Sequence, residues 1–388
     1  MKTIIETFDS QVLHTSLSAL ADWVIEQGIQ IQQIAAPTFA EHARAEAVAS
    51  MFRTLGLQEV RIDDVANVMG KVPGRHPELP ATMIAAHTDT IFAADTNLSV
   101  RREPGIIYGP GLGDNSVGVS GMLGLARYLQ QQQIQPEVDL WFAATTREEG
   151  LGDLGGMRAA FQTLAPHIDS VINLEGLAFG HIYHAGIAVR RLNITVTAPG
   201  GHSWLHYGKP SAVHVMVEVA ARITALQPSK SPRTTFNIGM IKGGEAINAI
   251  ATHAELWLDL RSESREALAR FERQVRAQIE AVKLPDVHFE ISLVGDRPAG
   301  YLDPAHPLVK AAVDVLDAQG IRALMETGST DANVPLSEDC PAVTIGITRG
   351  GNAHRLDEYI ETGPVAAGMR QLIVLALSNA AAKLAGTK

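Results

Sequence analysis

Residues 81–90 contain an apolar run that ends abruptly in His87 and, two residues later, Asp89. Such a run is typical of a strand buried on both faces of a parallel sheet. In an extended backbone, residues 87 and 89 point to the same face. An imidazole beside a carboxylate suits metal binding, because the carboxylate can accept the ring's second N–H and leave the other nitrogen free. The stretch therefore predicts a central strand that ends in a site.

The composition limits the partners of the chain. With 388 residues, 46% of them apolar, the chain is long enough for two compact units with sizeable cores. The formal net charge is -10, and the mixed acidic and basic residues form no basic surface for nucleic acid or an anionic membrane. We therefore expect a small molecule or a peptide as the substrate, and neither a nucleic acid nor a membrane as a partner.

Two features bear on the location of the protein. Cys340 is the single cysteine, so no internal disulfide can form and nothing indicates an oxidising compartment. Acidic residues stand near the start, where a signal peptide needs an apolar core, and we expect no apolar run of membrane-spanning length. The sequence thus predicts a soluble cytoplasmic protein.

Strands and helices alternate along most of the chain, with one interruption. Outside residues 185–295 the alternation predicts a doubly wound α/β sheet built from both ends of the chain. Residues 185–295 instead have the order β-α-β-β-α-β of a ferredoxin-like sandwich. We therefore predict one domain formed by residues 1–184 and 296–388, and an inserted domain formed by residues 185–295.

Charged side chains follow several of the predicted strands. Glu148 and Glu149 end one strand, Glu175 ends another, His354 lies in a late loop, and Asp114 lies where a glycine-rich loop meets a helix. Taken singly, these residues also fit a solvated acidic turn, a surface glutamate and a helix N-cap. In open α/β sheets, however, ligands bind outside the carboxyl ends of the strands. The residues therefore converge on one site.

The residue types in this site indicate metal chemistry. Two imidazoles and several carboxylates suit zinc, with manganese or cobalt as substitutes. There are more acids than one tetrahedral ion needs, which indicates two ions. Two metal ions about 3.5–4 Å apart can activate a shared water and polarise a carbonyl. The site therefore predicts metal-assisted hydrolysis of an amide.

Six short motifs resemble those of the M20 metallopeptidases, the group of carboxypeptidase G2, aminoacylase, peptidase T and acetylornithine deacetylase. The resemblance covers nearly the whole chain and implies a zinc-peptidase-like catalytic domain with an inserted ferredoxin-like lid or dimerisation domain. The motifs are His-x-Asp at residues 87–89, Gly-x-Gly-Asp-Asn at 111–115, Glu-Glu-Gly at 148–150, Gly-Gly-His-Ser at 200–203, Gly-Ser-Thr-Asp-Ala at 328–332, and His354 followed by Asp-Glu at 357–358.

The resemblance implies a role for each matching residue. Asp114 would bridge two metal ions, one of them held also by His87 and Glu175 and the other by Glu149 and His354.

Three further residues would act in catalysis. Asp89 would orient His87, Glu148 would be the general base, and His202 would stabilise the tetrahedral oxyanion, often from the partner protomer of a homodimer.

Arg261 and Asn248 would bind the free carboxylate of the substrate, for which a guanidinium is suited. The strand that carries Arg261 alternates regularly and needs no function to explain it. Residues 248–251 also lack a proline that many members of the family carry, so the loop that contains Asn248 departs from the family pattern. Asp331 is expected to be a structural residue near the metals.

The function predicted is two-metal hydrolysis of an amide in a short peptide or an N-acyl amino acid that has a free carboxylate. One alternative is an aminopeptidase that acts on dipeptides or tripeptides, as peptidase T does. The other alternative is a non-catalytic metal-binding or peptide-binding protein of the same fold, against which the presence of both Glu148 and His202 argues.

Overall fold

The computed structural model describes residues 2–13 and 17–385. The chain divides into two compact units. Unit 1 comprises Met1–Gly186 and Gly300–Lys388, and unit 2 comprises Ile187–Ala299. Unit 2 is therefore a continuous segment inserted into unit 1.

Helices and strands are numbered in chain order. The helices are α1 (Lys2–Leu13), α2 (Ser18–Gln32), α3 (His42–Thr54), α4 (Val117–Gln131), α5 (Gly155–Leu164), α6 (Ala212–Thr224), α7 (Arg265–Glu280), α8 (Pro307–Asp317), α9 (Asn333–Ser337) and α10 (Val365–Ala385). The strands are β1 (Gln58–Ile62), β2 (Val68–Val72), β3 (Ala81–His87), β4 (Arg101–Glu103), β5 (Ile106–Tyr108), β6 (Leu140–Thr145), β7 (Ile168–Leu174), β8 (His181–Gly186), β9 (Ala188–Thr197), β10 (Gly201–His202), β11 (Thr234–Gly243), β12 (Ala249–Ile250), β13 (His253–Ser262), β14 (His288–Arg297), β15 (Gly300–Tyr301), β16 (Leu324–Gly328), β17 (Ala342–Ile345), β18 (Gly350–Gly351) and β19 (Tyr359–Glu361).

Unit 1 is built on a mixed sheet with the strand order β1-β2-β6-β3-β7-β17-β8-β15, and β16 also pairs with β8. The central strands β6, β3, β7 and β17 are parallel to one another. The strands β2 and β8 pair antiparallel with β6 and β17. The fold is therefore mixed α/β, as predicted, with antiparallel strands on both sides of a parallel centre. The carboxyl ends of the parallel strands meet at one edge.

The central strand β3 is buried along its whole length. Its alternate residues belong to two different cores: Ile84 and Ala86 to one, and Met83 and Ala85 to the other. The first core includes side chains of α2, α4, α8 and α10, and the second includes side chains of α5. Because strand side chains alternate between faces, helices that cover both faces favour apolar side chains along the strand. The buried Thr82 is an exception, and its hydroxyl accepts a hydrogen bond from Asn379 at 2.9 Å.

The helix α10 corrects one expectation. Its segment Val365–Leu384 has 20 residues and a mean hydropathy of 1.4, so by length and composition it could cross a membrane. The prediction that no apolar run reaches that length is wrong for this segment. In the structure 72% of the apolar window is buried within the protein. A helix surrounded by other elements of a core is apolar on all sides.

Unit 2 contains a four-stranded antiparallel sheet with the order β11-β13-β9-β14. Along the chain its main elements follow the order β9, α6, β11, β13, α7 and β14. The strand β13 alternates, and Leu256, Leu258 and Leu260 form a core with Val219 of α6 and Phe271 of α7. The short strands β10 and β12 form a separate ladder, which holds the turn around His202.

Candidate active site

Several of the predicted site residues lie at the carboxyl edge of the parallel strands. His87 is the last residue of β3, Glu148 and Glu149 follow β6, and Glu175 directly follows β7. Asp114 reaches the same place from the loop before α4, where its peptide bond with Asn115 is cis. The structure therefore brings these side chains together.

Asp114 lies between two imidazoles. Its Oδ1 is 3.1 Å from Nε2 of His87, and its Oδ2 is 3.0 Å from Nε2 of His354. Two further carboxylates flank this pair: Glu175 Oε2 is 3.5 Å from Nε2 of His87, and Glu149 Oε1 is 3.0 Å from Nε2 of His354. Ligand atoms of His87, Asp114 and Glu149 all lie within 4.8 Å of one another.

The imidazoles and carboxylates of this cluster shift one another's pKa values. Hydrogen bonds with Asp114 and Glu149 raise the pKa of His354 to about 10. Burial opposes protonation of His87, but the carboxylates of Glu175 and Asp114 outweigh it and raise its pKa well above the usual value. Burial, together with repulsion from Asp114 and Glu149, raises the pKa of Glu175. Three carboxylates thus face two imidazoles, and a negative charge remains even when both rings are protonated.

This residue set fits divalent metal ions. Imidazole nitrogens and carboxylate oxygens are the donors that zinc takes in catalytic sites. The two oxygens of Asp114 point to different imidazoles, each of which has its own second carboxylate. Cations between these groups would offset the excess negative charge, which is otherwise costly at a buried position. The arrangement can hold two ions that share Asp114.

Asp89 contacts His87 and the backbone of the two glutamates. Nδ1 of His87 lies 3.1 Å from the backbone carbonyl oxygen of Asp89, whereas the nearest carboxylate oxygen is 3.6 Å away. The carboxylate instead accepts the backbone N–H of Glu148 at 2.9 Å, the backbone N–H of Glu149 at 3.0 Å and the hydroxyl of Thr38 at 2.8 Å. Asp89 therefore contacts His87 most closely through its backbone carbonyl, has its carboxylate near the same ring, and holds the backbone of both glutamates with that carboxylate.

Sequence reasoning missed the buried Arg44 of α3. Its Nη1 donates to the carbonyl of Thr88 at 2.6 Å, between the two residues of the His-x-Asp motif, and its Nε donates to the carbonyl of Ile34 at 2.8 Å. Burial lowers the pKa of Arg44 to about 10. An arginine on a helix gives no local signal of such a role, because these acceptors lie outside the helix.

Glu358 is a second residue whose role sequence reasoning missed, although it ends the His354 motif. Its side chain is fully buried and accepts backbone N–H groups of Gly111, Gly113 and Asp114. Burial raises the pKa of Glu358 to about 7, which the three N–H donors oppose.

Asp331 is buried and accepts a hydrogen bond from Thr145 Oγ1, at the end of β6, at 2.5 Å. Burial raises its pKa to about 7. The electrostatic interaction of Asp331 with His87, Glu175 and Asp89 indicates that it lies close to the cluster.

The remaining predicted site residues belong to unit 2. His202 pairs with Ala249 in the β10–β12 ladder, and the carbonyl of Asn248 accepts the N–H of Ser203 at 3.0 Å. Nδ1 of His202 accepts the backbone N–H of Trp204 at 3.2 Å, so in the neutral ring the proton is on Nε2.

Arg261 is held by Asp259 on its own strand. Nε of Arg261 donates to Oδ1 of Asp259 at 2.7 Å, and a second nitrogen donates to Oδ2 at 3.3 Å. Arg191 of β9 also donates to this carboxylate, at 3.2 Å. The guanidinium of Arg261 is therefore partly satisfied within unit 2.

Comparison with known proteins identifies relatives of this chain. Residues 83–377 match the model of peptidase family M20/M25/M40. The chain is 24% identical over 312 residues to carboxypeptidase G2 of Pseudomonas sp. (strain RS-16), a match that covers 77% of this chain and 73% of the relative. It is 26% identical over 310 residues to acetylornithine deacetylase of Edwardsiella ictaluri (strain 93-146), with 72% and 75% covered.

Solved structures have the same fold. A tripeptidase from Staphylococcus aureus superposes with a TM-score of 0.78 at 20% identity, over 93% of this chain and 99% of that one. A Bacillus subtilis protein, described as a dinuclear metal-binding peptidase of the M20 family, superposes with a TM-score of 0.67 at 15% identity, over 92% and 98%. With the family match over most of its length, this chain is a hydrolase that belongs to peptidase family M20/M25/M40.

Proposed function

We propose that this protein is a two-metal amidohydrolase that cleaves a short peptide or an N-acyl amino acid with a free carboxylate. The observation that carries the proposal is the position of Asp114, whose two oxygens lie 3.1 and 3.0 Å from Nε2 of two different histidines. Carboxypeptidase G2 and acetylornithine deacetylase, which this chain resembles, are named for amide hydrolysis. Both names fit a substrate with an amide next to a carboxylate.

In this proposal His87, Asp114 and Glu175 would hold one ion, and Asp114, Glu149 and His354 would hold the other. Zinc suits these nitrogen and oxygen donors, and manganese or cobalt can replace it. When bound, the two ions supply charge that polarises the amide carbonyl and lowers the pKa of the attacking water. The dinuclear description of the Bacillus subtilis relative supports the number of ions.

Glu148 is the general base in the proposed mechanism. It takes a proton from the attacking water and delivers it to the leaving nitrogen, which balances the proton over the reaction. Glu148 is 6% exposed, and its backbone N–H is fixed by the carboxylate of Asp89 at 2.9 Å. A carboxylate with a fixed backbone and little solvent around it is suited to repeated proton transfer within one site.

His202 supplies the oxyanion donor in the proposal. Its Nδ1 accepts the N–H of Trp204, which leaves Nε2–H available as a donor to a developing negative charge. The ferredoxin-like inserted domain acts as lid and dimerisation domain, so that His202 serves the site of a partner protomer. The edge strand β11 supports this role, since its Met240 and Ile241 are 45% and 51% exposed.

Arg261 and Asn248 bind the substrate carboxylate in the proposal. Asp259 already holds Arg261 at 2.7 Å, and this ion pair would orient the guanidinium while leaving other N–H groups to donate.

An aminopeptidase is the second candidate, favoured by the similarity of fold to a tripeptidase. An aminopeptidase recognises a free amino group, so acylation of the substrate's amino terminus abolishes its cleavage. An acylase or a carboxypeptidase tolerates the same acylation.

A hydrolysis panel tests both candidates. The protein is loaded with zinc, manganese or cobalt, and each N-acylated amino acid or peptide is paired with its free-amine counterpart, with a chelated control. Chelator-sensitive cleavage of acylated substrates supports the proposed function, and cleavage confined to free amino termini supports the aminopeptidase. Silence across the panel, from a protein that binds the metals, would mean either an acyl group outside the panel or the non-catalytic alternative.

A further inference from the structure

Glu358 is a fully buried carboxylate whose partners are backbone groups. The residue is 0% exposed, and none of the ion pairs in the described part of the chain involves it. Its acceptor capacity is instead used by a single backbone segment. Oε1 accepts the N–H of Gly113 at 2.6 Å and that of Asp114 at 3.0 Å, and Oε2 accepts the N–H of Gly111 at 3.2 Å.

The segment that Glu358 holds has little conformational preference of its own. Residues 109–114 read Gly-Pro-Gly-Leu-Gly-Asp, and Gly111 has the left-handed φ of 71°. Glycine gives the backbone more conformations than any other residue, so a loop rich in glycine needs outside contacts to fix its geometry. The backbone carbonyl of Glu358 also accepts the N–H of Gly109 at 2.9 Å. One residue therefore fixes the loop at four of its N–H groups.

The same residue belongs to the loop that carries His354, which is four positions earlier in the chain. Glu358 thus joins the Asp114 loop to the His354 loop. Asp114 Oδ2 and His354 Nε2, which lie 3.0 Å apart, are supplied by these two loops. The distance between these two atoms depends on the hydrogen bonds of Glu358, because neither Asp114 nor His354 lies in a regular helix or strand.

From this arrangement we propose that Glu358 is a positioning residue for the metal centre: its carboxylate sets the backbone of Asp114 so that the two oxygens of Asp114 face His87 and His354. The inference rests on the proposed two-metal function. It assigns to Glu358 no contact with an ion or with substrate. Replacing its carboxylate should therefore change how the ions are held before it changes any chemical step.

The test compares Glu358→Gln with the wild type in stepwise Co²⁺ titrations of the metal-free proteins, followed by visible absorption. Glutamine has the same shape, but its NH₂ group would face an N–H donor of the loop instead of accepting from it. The matched control is Glu361→Gln, three residues further on in β19. We expect Co²⁺ affinity to fall about 10–100-fold in Glu358→Gln, as for other residues that orient metal ligands, and the absorption band to shift. Glu361→Gln should match the wild type.

Three outcomes decide the inference. A folded Glu358→Gln protein with the affinity and the absorption spectrum of the wild type overturns it, even if its Tm is lower. A wild type that takes up no Co²⁺ overturns the proposed function together with the inference. If Glu358→Gln does not fold, the inference is tested by amide hydrogen exchange of the metal-free wild type instead. Protected amides of Gly111, Gly113 and Asp114 support the inference, and exchange at the rate of an open loop overturns it.

Discussion

The substitution Asp89→Asn tests the contacts that Asp89 makes in the structure. Its carboxylate accepts three hydrogen bonds, from the N–H of Glu148, the N–H of Glu149 and the hydroxyl of Thr38. An asparagine can place one oxygen, and its NH₂ group must then face at least one of these donors. A buried donor left without an acceptor costs about 1–3 kcal/mol, and the remaining bonds lose their charge assistance.

We therefore expect Asp89→Asn to lower the free energy of unfolding of the metal-free protein by about 2–4 kcal/mol. It should also weaken metal binding about 10–100-fold, because the carboxylate of Asp89 holds the backbone of Glu149, whose side chain belongs to the cluster. Urea unfolding followed by tryptophan fluorescence measures the first quantity, and competition with a chromophoric chelator measures the second. The matched control is Asp95→Asn, at an exposed aspartate.

The loss of stability in Asp89→Asn should depend on pH. Burial opposes ionisation of Asp89, but the interaction with His87 and the two backbone N–H groups outweigh it and lower its pKa. A lowered native pKa stabilises the protein above the unfolded value of about 4, and the stabilisation is lost as the pH falls through the native pKa. The difference in free energy of unfolding between the wild type and Asp89→Asn should be largest at neutral pH and should decrease as the pH falls. Equal stability and equal metal affinity of Asp89→Asn and Asp95→Asn would refute the reasoning.

Three further predictions follow from the site. Glu148→Gln should keep its metals, as measured by metal analysis, and should lower kcat by about 10²–10⁴-fold as expected for a lost general base; an unchanged kcat would exclude that role. Metal affinity should rise with pH, because the raised pKa of His354, about 10, keeps its ring protonated in the metal-free protein and each ion must displace protons. Calorimetry in buffers of different ionisation enthalpy should detect proton release, and a pH-independent affinity without release would contradict this. Arg261→Lys should raise KM for a substrate with a free carboxylate more than for the matching carboxamide, since lysine cannot bind bidentately; an equal effect on both would remove Arg261 from carboxylate recognition.

The sequence allowed the central strand and the gathering of acids at its end to be predicted, because both follow from local pattern and one topological rule. An apolar run such as that of β3 has to be buried, and the carboxyl ends of parallel strands meet at one edge. This is why His87, Glu149 and Glu175 could be named together from the sequence. Their roles as metal ligands remain predictions.

The contacts that hold the site in place could not be predicted from local pattern. The hydrogen bond from Gly113 to Glu358 joins residues 245 positions apart, and that from Thr38 to Asp89 joins residues 51 positions apart. Such pairs exist only once the sheet has formed.

The position of β17 between β7 and β8 has a consequence for biosynthesis. The two neighbours of β17 precede unit 2 in the chain, and β17 itself follows unit 2, at Ala342–Ile345. A nascent chain therefore carries β7 with an apolar, unpaired edge while the ribosome is still translating the insertion. Unit 2 is continuous and has its own core, so it can fold as soon as it emerges. The sheet of unit 1 can therefore be completed only after residue 345 has left the ribosome.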